Sequence, residues 1–261
     1  MSFSWCAEQT SATTPPEPAR SAHNFTGFAK PAVMLAVLAA LCACAPCFPP
    51  KTAQPEFAGV PAYYLRQAQM DSLQLPPPPA PGSEIDMADM GAVHQWQTRR
   101  TTAECARALS EADATYEQFY GAISPFPKPP QQQVSDFLNR LETDASVATT
   151  RFKEFYKRQR PFMRDKTVHT CVKVVPSWSY PSGHTVIARL TALALSDLVP
   201  ARRAEFMARA DEAALDRVIA GVHHPADLAA GKQLADEIYP LLLKNPAFAA
   251  DMEQARLSLA K

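Results

Sequence analysis

The chain has 261 residues, 47% of them hydrophobic, and its 26 basic side chains are balanced by 26 acidic ones. This length and hydrophobic content suffice for one large core or two small ones. The zero net charge gives no overall attraction to nucleic acid or to an anionic membrane. Any anion that this protein binds must therefore be held by a local group of cations.

An apolar segment at residues 32–45 follows the basic residues Arg20 and Lys30. It is too short to cross a bilayer but is typical of a signal peptide, so residues 1–45 are predicted to be a signal peptide region. Cys44 lies in a sequence loosely similar to a lipoprotein processing site; it is either a lipid anchor or a chance occurrence in a signal rich in Ala and Cys. The expected location is periplasmic or secreted, with an anchored lipoprotein as the alternative. No later apolar run approaches the ~20 residues that a membrane-spanning helix needs.

Proline dominates the next part of the chain and predicts an extended linker over residues 46–74. A run of prolines at 76–79 follows, and we take residues 75–261 as a single catalytic domain. Cys105 and Cys171 are the cysteines that lie in this domain. They form either one disulfide, in an oxidising compartment, or two buried free thiols.

The domain is predicted to be helical with breaks at proline. Helix-favouring residues fill 84–121, and the proline-rich segment 124–130 ends that region. Apolar residues recur at helical spacing from residue 134 until just before Pro161. Residues 163–180 are expected to be irregular, with a short β-like run at 172–175. The remaining predicted helices cover residues 183–198, 201–220, a long segment from Pro225 and a short one after Asn245–Pro246. The expected fold class is all-α, a single helical bundle.

Lys153 and Arg160 are seven residues apart and share one helical face, because seven residues drift by only ~20° on a helix. Two such cations are more often solvated surface charges. Arg160 precedes Pro161, however, and a residue before proline avoids helical geometry, so this arginine is expected to end the helix and turn inward. Lys157 and Arg158, which lie between them, are expected at the rim or in solvent.

The segment Ser179–Thr185 (Ser-Tyr-Pro-Ser-Gly-His-Thr) lies at the predicted start of a helix. The unpaired backbone N–H groups and the dipole of a helix start favour an anion there. Gly183 lets the backbone approach that anion closely, Ser182 offers a hydroxyl donor, and His184 projects from the same turn. The alternative is an ordinary turn in which Ser182 caps the helix.

A third group consists of Arg217, His223 and Asp227, the last two at the head of the predicted long helix. Their four-residue spacing allows an imidazole–carboxylate hydrogen bond, which fixes the ring tautomer and leaves the other nitrogen free to act as a nucleophile. Asp227 is also favourable simply as an acidic residue near a helix N-terminus. The adjacent His224 lacks the four-residue step and is expected to matter less.

Together these segments resemble the tripartite signature of the type 2 phosphatidic acid phosphatase superfamily, and specifically its bacterial class A non-specific acid phosphatases. The resemblance covers nearly all of residues 75–261. It implies a phosphatase that hydrolyses small phosphomonoesters without a cofactor. A metal site is not expected, because cations at Arg160 and Arg217 would repel a divalent ion.

The resemblance also implies a role for each residue. His223 attacks phosphorus, Asp227 orients it, and His184 protonates the departing alcohol. The implied phosphate-binding residues are Lys153, Arg160, Ser182, Gly183 and Arg217.

The chain departs from the class A pattern at three places. Trp178 stands where that signature has Gly, and it is expected to narrow the pocket or stack on the substrate. Asp216 stands where it has Ser, and it is expected to weaken the grip of Arg217 on phosphate. A cysteine common in that family near Ala220 is missing, so the family disulfide cannot form unchanged.

Two alternative functions remain open. A vanadium haloperoxidase uses the same residues to bind vanadate, although those relatives are typically much larger. A non-catalytic, phosphate-binding surface lipoprotein would need only the cations, whereas this chain also has His184, His223 and Asp227. The expected partner is a small phosphomonoester, with no nucleic acid and no membrane span, and a homodimer is left open.

Overall fold

The computed structural model describes residues 61–259, and every regular element in this range is helical. The all-α fold class is therefore confirmed. Two short 3-10 turns, Gly121–Ile123 and Pro200–Arg202, precede the fifth and eighth helices. The α-helices of this range are α1 (Gln67–Ser72), α2 (Glu84–Arg99), α3 (Thr102–Ser110), α4 (Tyr116–Tyr120), α5 (Gln132–Tyr156), α6 (Pro161–Arg164), α7 (Gly183–Leu198), α8 (Arg203–Ile219), α9 (Pro225–Leu242) and α10 (Pro246–Leu257).

A proline and a left-handed residue mark two of the helix ends. Helix α7 has the predicted bounds, and Pro225 occupies the first position of α9, where its missing N–H costs no hydrogen bond. Helix α5 ends where Lys157 adopts a left-handed conformation with φ of 49°.

The prediction of a β-like run at residues 172–175 is wrong. This segment forms no strand, and no strand in the described range could pair with it.

Helix α7 forms the centre of the bundle and packs against α5, α8 and α9. It is apolar or small on almost every face, as a helix enclosed by others requires. Gly231 on α9 permits the closest approach, because a Cβ there would lie 2.8 Å from the carbonyl oxygen of Ser182 and 2.9 Å from the Cβ of Thr185. This contact holds the beginning of α7 against α9.

The packed domain includes residues before 75, which corrects the predicted linker boundary. The carboxylate of Asp144 on α5 accepts backbone hydrogen bonds from Tyr64 at 2.9 Å and Leu65 at 3.0 Å. Residues 62–74 contain no proline, so the composition that predicted a linker does not extend through them. Four side chains of this stretch are buried in the main core: Tyr64, Leu65, Met70 and Leu73.

Cys105 and Cys171 form a disulfide that joins α3 to the irregular segment before α7, with their Cα atoms 5.3 Å apart. The cysteines are separated by 66 residues, for which loop-closure entropy predicts a stabilisation of about 4 kcal/mol. The backbone N–H of Cys171 donates to the carbonyl of Ala220 at 3.2 Å. The cross-link therefore lies beside the position where the resemblance placed a different cysteine.

The predicted signal peptide region, the anchor at Cys44 and the linker up to residue 60 lie outside the described residues. They stay predictions. Within residues 61–259, no helix has both the length and the apolar character needed to cross a membrane.

Candidate active site

The three sequence segments meet near the beginnings of α7 and α9. The backbone N–H of Ser182 donates to the carbonyl of Asp227 at 3.0 Å and joins the two helix starts. Lys153 reaches this junction from the last turn of α5, Arg160 from the residue before α6, and Arg217 from the last turn of α8. All the predicted site residues are buried or half-buried.

The predicted phosphate-binding cations Lys153 and Arg217 bond to backbone carbonyls. The ammonium of Lys153 donates to the carbonyls of Trp178 and Ser179, the second at 3.4 Å. The guanidinium of Arg217 donates to the carbonyl of Ala108, and its Nε has no partner within the described residues. Burial lowers the pKa of Arg217 below its usual value.

The third cation, Arg160, bonds to backbone carbonyls and also lies against His223. Its guanidinium donates to the carbonyls of Ser177 at 2.8 Å and Val222 at 2.9 Å. Its Nη1 atom also lies 3.1 Å from Nε2 of His223. Burial, with a further contribution from Arg217, lowers the pKa of Arg160 to about 10, so this side chain remains a cation at physiological pH.

Across residues 61–259, none of these three cations makes an ion pair with a carboxylate. Carbonyl oxygens hold the side chains in place without neutralising their charge. Burial and the neighbouring Arg160 lower the pKa of Lys153 to about 7, so its ammonium is charged on the acid side of neutrality. The site then holds three positive charges, which attract a phosphate dianion.

The start of α7 adds backbone donors to these cations. Gly183 and His184 occupy its first two positions, and their N–H groups have no partner in the described part of the chain. The Oγ of Ser182 accepts the N–H of Thr185 at 3.4 Å, as a helix cap does. Its own hydroxyl hydrogen is not consumed by that bond, so Ser182 can cap the helix and donate to an anion.

The two ring nitrogens of His223 have different partners. Nδ1 lies 3.3 Å from Oδ2 of Asp227, and Nε2 faces Arg160. Because arginine only donates hydrogen bonds, Nε2 carries the lone pair and Nδ1 the proton. Burial and Arg160 hold the pKa of His223 well below its usual range, although the bond to Asp227 opposes them. The ring is therefore neutral and has a free electron pair, as a nucleophile requires.

The carboxylate of Asp227 is fully buried and accepts hydrogen bonds from several groups. Its Oδ2 accepts from the hydroxyl of Ser179 at 2.5 Å and from the backbone N–H of His224 at 2.8 Å. Burial alone would raise the pKa of Asp227, but hydrogen bonds from His223 and His224 hold it well below its usual range. The carboxylate is therefore ionised. The sequence interpretation did not assign a role to Ser179.

The three-residue spacing does not keep His224 away from Asp227, so the spacing argument against His224 is wrong, while its smaller role stays a prediction. The Nδ1 of His224 lies 3.0 Å from the same Oδ2 of Asp227, because His224 is the residue that precedes α9. The rings differ in the position of Nε2. In His224 this atom lies 3.1 Å from Arg164, which is paired with Asp86. Of the two, only His223 faces the cations that lack carboxylate partners.

Arg158 is buried, which corrects its predicted position at the rim. Its Nη1 donates to Oδ1 of Asp227 at 2.8 Å, while Nη2 donates to Asp89 at 2.7 Å and to Asp86 at 3.1 Å. The left-handed turn at Lys157 comes directly before it. The sequence did contain one signal: Asp86 and Asp89 are three residues apart and share a face of α2, where a buried carboxylate pair needs a cation.

His184 is half-buried in the first turn of α7. Its Nε2 lies 3.2 Å from the carbonyl oxygen of Ala112, so Nε2 carries a proton and Nδ1 is left to exchange one. Burial, followed by Arg217 and then Arg160, lowers the pKa of His184 to about 3. The ring is therefore neutral near pH 6 while the cations face no anion.

Of the three sequence departures, Trp178 contacts the site through its backbone, and Asp216 is held in a separate ion pair. Trp178 contacts Lys153 with its carbonyl oxygen. The carboxylate of Asp216 accepts two hydrogen bonds from Arg107, both at 2.7 Å. Asp216 is therefore occupied by a different arginine from the Arg217 that it was expected to weaken.

Comparisons with known proteins agree with this arrangement. A model of the PAP2 superfamily matches residues 143–235, which include every predicted site residue. The chain is 32% identical over 212 residues to a non-specific acid phosphatase of Providencia stuartii, an alignment that covers 76% of this chain and 85% of that protein. It is 30% identical over 198 residues to a non-specific acid phosphatase of Salmonella typhimurium, covering 71% of this chain and 78% of that protein.

The crystal structure of a bacterial vanadium-dependent iodoperoxidase is similar in fold, with a TM-score of 0.53 and 15% sequence identity. The similarity covers 66% of this chain and 52% of the peroxidase, and at this identity it concerns the fold alone. The assignment depends on the sequence relatives. The chain belongs to the PAP2 superfamily and, within it, to the non-specific acid phosphatases.

Proposed function

We propose that this acid phosphatase hydrolyses phosphomonoesters through a phosphohistidine intermediate on His223, without a metal ion. The observation that carries the proposal is the orientation of the His223 ring. Its protonated Nδ1 is directed to Asp227 and its unprotonated Nε2 to Arg160, one of the cations suited to hold phosphate. A nucleophile placed against a phosphate site needs this tautomer.

Substrate binding uses the groups that have no anionic partner. Lys153, Arg160 and Arg217 neutralise the phosphoryl oxygens, and the free N–H groups at the start of α7 donate to them together with the hydroxyl of Ser182. Arg160 gives up its contact with Nε2 of His223 as it turns its donors to the phosphate. That change frees the electron pair of His223 at the moment the substrate is in place.

The reaction then takes two steps. In the first, Nε2 of His223 attacks phosphorus, the bond from phosphorus to the ester oxygen breaks, and His184 gives its proton to that oxygen. In the second, water attacks phosphorus, His184 removes a proton from the water, and the bond between phosphorus and Nε2 breaks. Free phosphate leaves and His223 is neutral again.

The protonation of His184 depends on the substrate. The cations Arg217 and Arg160 help to lower the pKa of His184 to about 3. A bound phosphate dianion opposes those cations and raises the pKa, so His184 gains its proton when the substrate is bound. Protonation of His184, the general acid, is thereby coupled to binding of the substrate.

Metal independence is proposed from the same charges. Three buried cations surround the place where phosphate is expected, and they repel a divalent ion while supplying the positive charge that it would otherwise bring.

We further propose that the protein is exported to the periplasm or secreted. The apolar segment at residues 32–45 supports this, as does the Cys105–Cys171 disulfide, since such bonds persist in oxidising compartments. Whether Cys44 carries a lipid anchor is decided by the mass of the mature amino terminus.

The test is turnover of p-nitrophenyl phosphate by the full-length chain, with and without a strong chelator, beside His223→Ala as the control. We expect hydrolysis that the chelator leaves unchanged and that the substitution reduces by at least about 10⁴-fold. Activity that is lost with chelator and restored by zinc or magnesium would contradict the metal-free mechanism.

A further inference from the structure

We propose that Arg158 is a positioning residue for the reaction: it fixes the carboxylate of Asp227 and, through it, the ring of His223. This inference rests on the proposed function, since it assumes that His223 is the nucleophile. Arg158 does not contact the place where phosphate is expected, and it acts through Asp227.

The contact between Arg158 and Asp227 leaves the carboxylate little freedom. Nη1 of Arg158 lies 2.8 Å from Oδ1, while the bonds from Ser179, His224 and His223 all reach Oδ2. The two oxygens thus have separate partners on opposite sides. Rotation of the carboxylate about its last bond, which is otherwise a soft motion, would break both sets at once.

Arg158 is itself held from the far side by α2. Its Nη2 donates to Asp89 at 2.7 Å and to Asp86 at 3.1 Å. Asp89 also accepts the backbone N–H of Ala226 at 3.1 Å in the first turn of α9. Asp86 is further bound by Arg164 at 2.6 Å. One guanidinium therefore links α2 to the helix start that carries Asp227, and a lysine cannot make all these bonds.

The same residue also contributes charge. His223 faces Arg160, Lys153 and Asp227, and Asp227 faces Arg158 and both histidines. Behind Arg158 lie the carboxylates Asp86 and Asp89 and the guanidinium of Arg164.

Without the charge of Arg158, the carboxylates of Asp227, Asp86 and Asp89 have fewer cations to balance them near the His223 ring. The pKa of His223 then rises, and the ring takes up a proton at a higher pH than in the wild type. The acid limb of the pH profile of kcat/KM, where the rate falls as His223 becomes protonated, should therefore move to a higher pH.

The test compares three variants of the full-length chain. Arg158→Met removes both the guanidinium hydrogen bonds and the charge. Arg158→Lys removes the planar guanidinium with its several N–H donors and keeps the charge. Arg189→Met is the matched control, because Arg189 forms a two-bond pair with Asp236, both bonds at 2.9 Å, between α7 and α9. For each variant, kcat, the inhibition constant of inorganic phosphate and the pH profile of kcat/KM are measured.

We expect Arg158→Met to lower kcat about 100-fold, the scale on which small misplacements act, with the inhibition constant of phosphate nearly unchanged. Its acid limb should move up by about one pH unit or more. Arg158→Lys should show a reduced kcat with an acid limb close to that of the wild type. Arg189→Met should keep wild-type values for all three.

Wild-type kcat and an unshifted acid limb in a folded Arg158→Met variant would overturn the proposal. If Arg158→Met does not fold, Arg158→Lys decides: a wild-type kcat refutes the positioning role, and a reduced kcat with unchanged phosphate inhibition supports it. Failure of the proposed function is detected by a different variant. Full turnover in His223→Ala would show that His223 is not the nucleophile, whatever the Arg158 variants do.

Discussion

Arg158 and Arg160 are two residues apart and both buried, yet they belong to different regions of the molecule. Arg158 donates to the carboxylates of Asp227, Asp86 and Asp89. Arg160 donates to backbone carbonyls and faces the unprotonated nitrogen of His223. The first arginine has its charge neutralised inside the protein, and the second does not.

The comparison shows that the counter-charge, and not burial, distinguishes Arg158 from Arg160, the cation that we propose binds phosphate. We name the two regions the phosphate pocket (Lys153, Arg160 and Arg217) and the carboxylate network (Arg158, Arg164, Asp86 and Asp89). In the described part of the chain, the pocket cations bond to uncharged acceptors, and the network cations each bond to at least one carboxylate. Asp227 lies between the regions, since Arg158 holds one of its oxygens and His223 contacts the other.

Between the two regions, the larger effect should come from removing a pocket cation. Arg160→Met should lower kcat/KM by about 10³-fold, because a charged donor to the transition state is lost from a buried site. The inhibition constant of inorganic phosphate should rise in parallel. Arg158→Met, by contrast, should change kcat and leave that constant alone. Equal effects of the two variants on phosphate inhibition would show that the regions are not separate.

His224 allows a test beside the carboxylate network, with a smaller expected effect. His224→Ala removes a ring that contacts both Asp227 and Arg164, so the carboxylate should become less well oriented. We expect a loss of about 10- to 100-fold in kcat, well short of the loss in His223→Ala. The measurement is steady-state turnover of p-nitrophenyl phosphate, with circular dichroism to confirm folding. If His224→Ala is as inactive as His223→Ala, the roles of the two rings need to be reassigned.

The pocket should also show its own pH dependence. Burial and Arg160 lower the pKa of Lys153 to about 7, so its ammonium is charged below that pH and loses its proton above it. We therefore expect kcat/KM to fall by about tenfold per pH unit on the alkaline side. Lys153→Arg keeps the charge at all these pH values and should move that limb upward. An alkaline limb that stays in place in Lys153→Arg would assign it to another group.

Asp216 should give the smallest effect on catalysis. It is bound by Arg107 and lies outside both regions, so Asp216→Ser should leave the inhibition constant of phosphate close to the wild-type value. The variant should lose some thermal stability, since Arg107 loses its buried partner and, among the described residues, keeps only Glu212 at 3.5 Å. Clearly tighter phosphate binding would show that Asp216 does weaken Arg217.

Much of this arrangement can be predicted from local patterns. The bounds of α7, the position of Pro225 and the pairing of His223 with Asp227 each follow from a few adjacent residues. The extended backbone of Arg160 follows from the proline after it, but the helical face that Arg160 was expected to share with Lys153 does not exist, because α5 ends at Tyr156 and Arg160 instead precedes α6.

Contacts between distant segments could not be predicted in this way. Arg158 becomes a buried residue only because α2, some seventy positions earlier in the chain, brings two carboxylates to it. The local sequence predicts a linker at residues 61–74 because proline lies on both sides, while their partner Asp144 is on α5. Gly231 carries no local signal either, and its role is defined by the start of α7.

The central claim is that phosphate is carried by His223, and rapid quench of the full-length chain during turnover of p-nitrophenyl phosphate tests it most directly. Quenching in base preserves a phosphohistidine, and peptide mass spectrometry then locates the added group of about 80 Da that covalent catalysis requires. The account predicts this mass on the peptide that contains His223 and its absence in His223→Ala. The same mass on Ser182, in a protein that turns over normally, would contradict the account.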